Sequence, residues 1–139
     1  MTLIRLPDWQ SRLRRWIGTV AGQPLIAGRH DCCLFGAGAI EAQTGVDIAA
    51  PWRGRYSTFA GGRRILRKAG YADHLALIAA HLPEAHPAEA LPGDIAVVPG
   101  EGGDAVGVVQ GAGVYVLTQS GKLGLVPMLP VLRLFKVGV

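Results

Sequence analysis

Cysteine is nearly absent from this chain of 139 residues: there are two, and Cys32 and Cys33 are adjacent. Neighbouring cysteines cannot staple distant segments, so a disulfide framework is excluded and the thiols are expected to be free, as in a reducing compartment or a particle assembled in one. Nowhere do about 18 apolar residues run uninterrupted, which argues against a membrane-spanning helix. The opening Met1-Thr2-Leu3-Ile4-Arg5-Leu6-Pro7 lacks the apolar core and cleavage pattern of a secretory signal, and the expectation is a soluble protein. Aromatic residues make up only 6%, and no nucleic-acid fingerprint accompanies the formal charge of +4, which weighs against a nucleic-acid partner. The arginines at 5, 12, 14, 15, 29, 53, 55, 63, 64 and 67 all lie in the first half and read as a solvated basic helix face.

What is present is enough for one domain. Half of the residues are apolar, and the length suits a single core rather than two. From Asp8 to Val20, Trp9, Leu13, Trp16, Ile17 and Val20 recur at three- and four-residue spacing, predicting an amphipathic helix closed by Gly22. Gln23 to His30 read as a loop. Asp31 then caps a second helix running to Thr44, with Gly45 as its stop. Gly36, Ala37, Gly38, Ala39 and Ala42 make that helix small-sided, so it is expected to be central and buried, with packing offsetting a glycine penalty of about 1 kcal/mol each. Ser57 is placed to cap a third helix to Lys68, and Asp73 a fourth through Leu82.

Pro83 to Gly93 reads as a turn-rich connector. Beyond Asp94 the pattern changes to β-branched runs separated by glycine: Ile95–Val98, Val106–Val109, Val114–Thr118, Leu123–Val126 and Val131–Val137. A helical half over about 1–82 and a strand half over about 94–139 predict one α+β domain over 1–139, with an antiparallel sheet packed on the second helix.

The chemistry-bearing residues gather around that helix. A thiol at a helix amino terminus feels the positive end of the dipole and the unpaired backbone donors, which favour thiolate. Cys32 and Cys33 share this turn, and chemistry alone does not separate a nucleophile from a small buried hydrophobe. His30, two residues before Cys32, is weighed as a base or metal ligand against a structural loop role. His74, His81 and His86 read as surface residues. His30, Asp31, Cys32 and Cys33 are consecutive and have no second Cys/His pair elsewhere, so they do not form a tetrahedral metal set, and no cofactor is expected.

The order Asp31-Cys32 at a helix start, Pro92-Gly93-Asp94 leading a strand, and Ala105-Val106-Gly107-Val108-Val109 followed by a glycine-flanked hairpin is similar to the NlpC/P60 cysteine peptidases, papain-like enzymes that cut cell-wall peptides. The resemblance covers about Asp31 to Val126. It selects Cys32 as the nucleophile. It also implies a histidine directly before Val106, where this chain has Ala105, and a polar orienting residue where it has Leu117; Thr118 and Gln119 fit that role only with a register shift. A methyl group can neither take a proton nor return one, so the resemblance implies a papain-like fold with its catalytic pair lost.

Asp8-Trp9-Gln10 with Leu13, Gly28-x-His30-Asp31-Cys32-x-Leu34-Phe35, Thr44-Gly45-x-Asp47 and Arg53-Gly54-Arg55-Tyr56 resemble more closely a small family of NlpC/P60-like tail-region proteins of bacteriophages and prophages. That implies a structural or assembly protein of the tail tip or baseplate, resident in the virion and assembled in the host cytoplasm, with hub and distal tail proteins as partners. Its groove would hold a partner segment, with Asp31, Trp52, Arg53, Arg55 and Tyr56 as candidate contacts and the run Leu123 to Val139 offering an edge strand. The competing expectation is an active peptidoglycan hydrolase that opens the wall as DNA enters, with Cys32 as nucleophile and His30 as a surrogate base.

Overall fold

Asp31 decides where the central helix begins. Its backbone is extended and its Oδ1 accepts from the Leu34 amide at 2.9 Å, which caps α2 (Cys32–Thr44). Gly45 ends the helix in the left-handed conformation at φ 79°, donating to the Glu41 carbonyl. In this computed structural model, which describes residues 3–100, 103–128 and 130–138, α2 is buried from Leu34 to Ile40 without interruption. It packs against α1 (Trp9–Val20), α4 (His74–His81) and the sheet, so three sides must admit close neighbours. The small residues permit this: a Cβ on Gly38 would lie 2.8 Å from the Trp16 ring, and one on Gly36 3.1 Å from Ile78 Cδ1.

The apolar stripe of α1 faces the core as its spacing predicts, with Leu13 buried and Trp9, Trp16, Ile17 and Val20 packed around it. The helix stops at Ala21 in right-handed geometry rather than at a left-handed Gly22. α3 (Phe59–Lys68) starts one residue later than Ser57 would have it, because Thr58 is the hydroxyl whose Oγ1 accepts from Gly61 N at 2.9 Å. Asp73 caps α4 through the Ala76 amide, and Pro83 stops continuation beyond Leu82.

The six strands are β1 (Glu84–Ala85), β2 (Ile95–Gly100), β3 (Gly103–Gln110), β4 (Gly113–Leu117), β5 (Leu123–Pro127) and β6 (Arg133–Phe135). All neighbours run antiparallel, in the order β1-β6-β2-β3-β4-β5. The α+β class, with an antiparallel sheet against the second helix, is therefore the observed architecture. One sheet face, including Ile95, Val97, Val106 and Val108, meets the helices; the other, including Ala96, Val98, Val116 and Leu134, is covered by Ala85 and Ala90 of the connector and by Met128 and Val131.

Two expectations need correction. The connector is not only turns, since it holds β1 and a single 3-10 turn at Pro87–Glu89. The carboxyl-terminal run does not offer its last strand as an edge: β6 is inserted between β1 and β2, and of that run it is β5 that forms a sheet edge, with β1 at the other.

Pro92-Gly93-Asp94 ties the chain ends to this frame. Asp94 is buried, and its carboxylate accepts from the Leu91 amide at 2.9 Å, the Val137 amide at 3.2 Å and Lys136 Nζ at 2.5 Å, with Arg5 Nη2 3.6 Å away. Gly93 holds φ 90° against Gln43, whose side-chain amide donates to the Gly93 carbonyl at 2.8 Å. Buried carboxylates persist only when paired in this way.

Candidate functional site

Cys32 and Cys33 open the same helix but face different surroundings. Cys32 is exposed, whereas Cys33 is half-buried and packs against the main core as a small hydrophobe. Cys32 borders a cleft of about 560 Å³ between the head of α2 and the sheet. Pro99, Gly100 and Gly103 bring the β2–β3 hairpin to it, Val116 to Gln119 come from the end of β4, and Gly124 and Val126 from β5. Ala105 and Leu117 line this same cleft, so the two positions that the sequence comparison singled out share one surface with the Cys32 thiol. No imidazole borders it among the described residues. Asp104 is its single charged group there.

The electrostatics do not favour thiolate. Although Cys32 is exposed, desolvation by the atoms around it pushes its thiol above the ordinary value, and the Asp31 carboxylate adds to this, outweighing the backbone donor at the helix start. Cys33 is pushed up to about 12, first by burial and then by Asp31. The expectation that the helix terminus favours thiolate is not met, because desolvation first and the Asp31 carboxylate second outweigh the backbone donor there.

His30 lies apart from the sulfur chemistry. It is buried, and its Nε2 is 2.8 Å from the Gly121 carbonyl oxygen, an acceptor, so Nε2 donates and the ring pins the loop before α2 to the β4–β5 turn. His30 borders neither cleft that Cys32 touches. Gly121 fits there because it has no side chain, in left-handed geometry at φ 89° against Pro24 and Leu25.

Asp31 is a structural hub. Besides capping α2 it accepts from the Gly28 amide at 2.8 Å and from the Tyr56 hydroxyl at 2.6 Å. Burial and that hydrogen bond hold the Tyr56 phenol above its ordinary value. Trp52 packs against the core with Tyr71 edge-on at 5.9 Å. Arg53 makes a two-pronged pair with Asp47, Nε to Oδ2 at 2.8 Å and Nη2 to Oδ1 at 3.0 Å. Burial works to raise the Asp47 carboxyl, but these bonds and the Ala49 amide hold it below its ordinary value. Arg55 is exposed. Of the five candidate contacts, only Asp31 and Tyr56 border a cleft with Cys32, a smaller one of about 250 Å³; Trp52, Arg53 and Arg55 are absent from both Cys32 clefts.

That smaller cleft holds a residue the sequence reading misplaced. His74, expected at the surface, is the first residue of α4 and borders the cleft beside Cys33 and Asp73. Its Nε2 is buried without a hydrogen-bond partner among the described residues, and burial pulls the imidazole below its ordinary value despite Asp73 and Asp31 nearby. The apolar stretch that follows it, Leu75 to Ala80, was the available signal.

Among the described residues no cluster of three or more His, Cys, Asp or Glu is placed to hold a metal ion, and no helix is long and apolar enough to cross a membrane. A family model described as a domain of unknown function, DUF6950, matches residues 4–137. No curated protein and no solved structure matches the chain.

Proposed function

This chain belongs to the DUF6950 family, and we propose that it is a structural or assembly protein of a bacteriophage tail tip, built on a papain-like NlpC/P60 scaffold whose catalysis has been lost. The observation that carries the reading is the surface opposite Cys32. Ala105 and Leu117 border the cleft where a cysteine peptidase needs a base and its orienting partner, and desolvation and Asp31 both push the Cys32 thiol above its ordinary value. Cysteine-based acyl transfer requires a group that takes the thiol proton and returns it to the leaving amine. Asp104 is the one charged group among the described lining residues, and it makes no hydrogen bond to Cys32 among them.

The cleft retains its capacity to hold a chain. Its walls are mostly apolar or glycine, and the free edge of β5 runs beside it with Leu125 exposed. An extended segment of a hub or distal tail protein fits such a groove by backbone pairing and burial of alternate side chains. Assembly in the host cytoplasm and residence in the virion follow from this reading.

Two measurements test it. Purified protein incubated with cell walls is expected to release no muropeptides, and Cys32→Ser phage are expected to assemble and infect normally. Wall cleavage abolished by Cys32→Ala would overturn the reading in favour of a peptidoglycan hydrolase. Absence of the protein from purified virions and from assembling tails would overturn it as well.

A further inference from the structure

A second cleft, of about 290 Å³, lies between α1 and α2 and shares no lining residue with the Cys32 cleft. Arg12, Arg15, Glu41 and Arg53 line it around Trp16. Two of its guanidinium groups are held in place by the fold. Arg12 Nε donates at 2.7 Å to the Ala42 carbonyl, one of the last-turn oxygens of α2 that lacks a helical partner. Its two Nη groups make no hydrogen bond among the described residues. Arg53 is clamped by Asp47 through Nε and Nη2, which leaves Nη1 without one there. Arg15 is exposed beside them.

Planar, pre-positioned guanidinium groups around one concavity match a carboxylate or a phosphate, because each offers paired N–H donors at fixed spacing and little ordering entropy is lost on binding. The wider charge distribution points the same way. Eleven of the fourteen basic residues precede Pro83 against five of the ten acidic ones. Of those five, Asp31 and Asp73 are occupied as helix caps and Asp47 by Arg53. The unneutralised excess steers an acidic partner to the helical half.

We propose that the α1–α2 cleft is a docking site for an acidic peptide segment of a partner protein, whose carboxylates sit on Arg12, Arg15 and Arg53. A peptide suits the site better than a nucleic acid for two reasons. Glu41 stands in the cleft within the field of Arg53; it repels a backbone that is anionic at every unit, whereas a peptide can set its spaced carboxylates on the arginines and an N–H on Glu41. Trp16 is packed against Gly38 and, at 5.2 Å between ring centroids, against Phe35, so its ring is not free to stack bases. The site does not depend on the reading of the Cys32 cleft.

The test is fluorescence anisotropy with the full chain and a short labelled peptide in which Glu alternates with Ser and Leu. Its Gln counterpart and a single-stranded oligonucleotide serve as competitors. The Glu peptide is expected to bind, about tenfold or more weaker to Arg15→Glu, and weaker to Arg12→Lys, which keeps the charge and loses the fork. Arg64→Glu, an identical charge change on α3 outside this cleft, is expected to leave binding within about twofold. Amide shifts at Trp16 and Gly38 on titration locate the site. Equal affinity for the Gln peptide, tighter binding of the oligonucleotide, or equal weakening by Arg64→Glu and Arg15→Glu overturns the proposal.

Discussion

The Tyr56 hydroxyl donates to Asp31 Oδ2 at 2.6 Å, joining the loop before α3 to the cap of α2 across 25 residues of sequence. The same oxygen accepts from Gly28 N, so one buried carboxylate organises two loops and a helix start. Tyr56→Phe keeps the ring that packs over Gly62 but removes a donor to a charged group, and is expected to cost about 1.5–3 kcal/mol in urea unfolding. Asp31→Ala, which also loses the cap, is expected to cost more than Tyr56→Phe. A tyrosine change without effect would show that the hydroxyl and the carboxylate are not coupled.

The raised thiols predict slow chemistry. At pH 7.5 Cys32 in the folded protein is expected to react with iodoacetamide more slowly than a free cysteine, with Cys33, held at about 12, slower still, and both are expected to recover ordinary rates in denaturant. The same shifts favour the protonated, folded state below the ordinary thiol pKa. That contribution is lost as pH rises from about 8.5 towards the folded values, so unfolding midpoints are expected to fall at alkaline pH. Mass spectrometry of labelled peptides over time checks the rates, and fast folded-state alkylation of Cys32 would contradict them.

Overpacking the central helix is expected to destabilise it. A Cβ at Gly36 already lies 3.1 Å from Ile78 Cδ1 and 3.3 Å from Val106 Cγ1, so Gly36→Leu is expected to cost about 1–3 kcal/mol or more, as is Ala39→Leu at a position with no exposed surface. Thermal unfolding measures this. An unchanged midpoint would mean that the helix does not sit against α4 and β3.

Acid should weaken the fold through His74. Its folded pKa is lowered by burial, so as pH drops below about 6.5 the unfolded chain takes up a proton that the folded state resists, and stability falls until the folded imidazole itself protonates. His74→Phe removes the titrating ring and the unpartnered Nε2 together. The variant is expected to lose less stability than the natural chain between pH 7 and pH 5 in urea unfolding, and an equal loss would place the acid response elsewhere.

Local signals carried the helices well. Asp31 and Gly45 bound α2 as read, because a cap and a left-handed glycine act within one turn. α3 was displaced by one residue because Ser57 and Thr58 offer the same hydroxyl, and only the backbone geometry chooses between them. The burial of His74 Nε2 was only weakly legible: the apolar run that follows His74 hinted at it, but a histidine at the head of an apolar helix looks alike whether the walls of a cleft or water surround its ring. The pairing of Arg53 with Asp47 was equally silent in a pattern that offered arginine as a partner contact.

The amino-acid order by itself determined an α+β chain with a small-sided central helix, free adjacent thiols and a strand-rich second half, since caps, periodicity and residue size operate over a few positions. Tertiary packing alone decided that β6 enters the sheet beside β2, that Asp94 gathers Lys136 and the Val137 amide, and that Ala105 and Leu117 share a cleft with Cys32. These relations join residues far apart in the chain, and their energies come from burial and pairing that exist only once the distant surfaces have met.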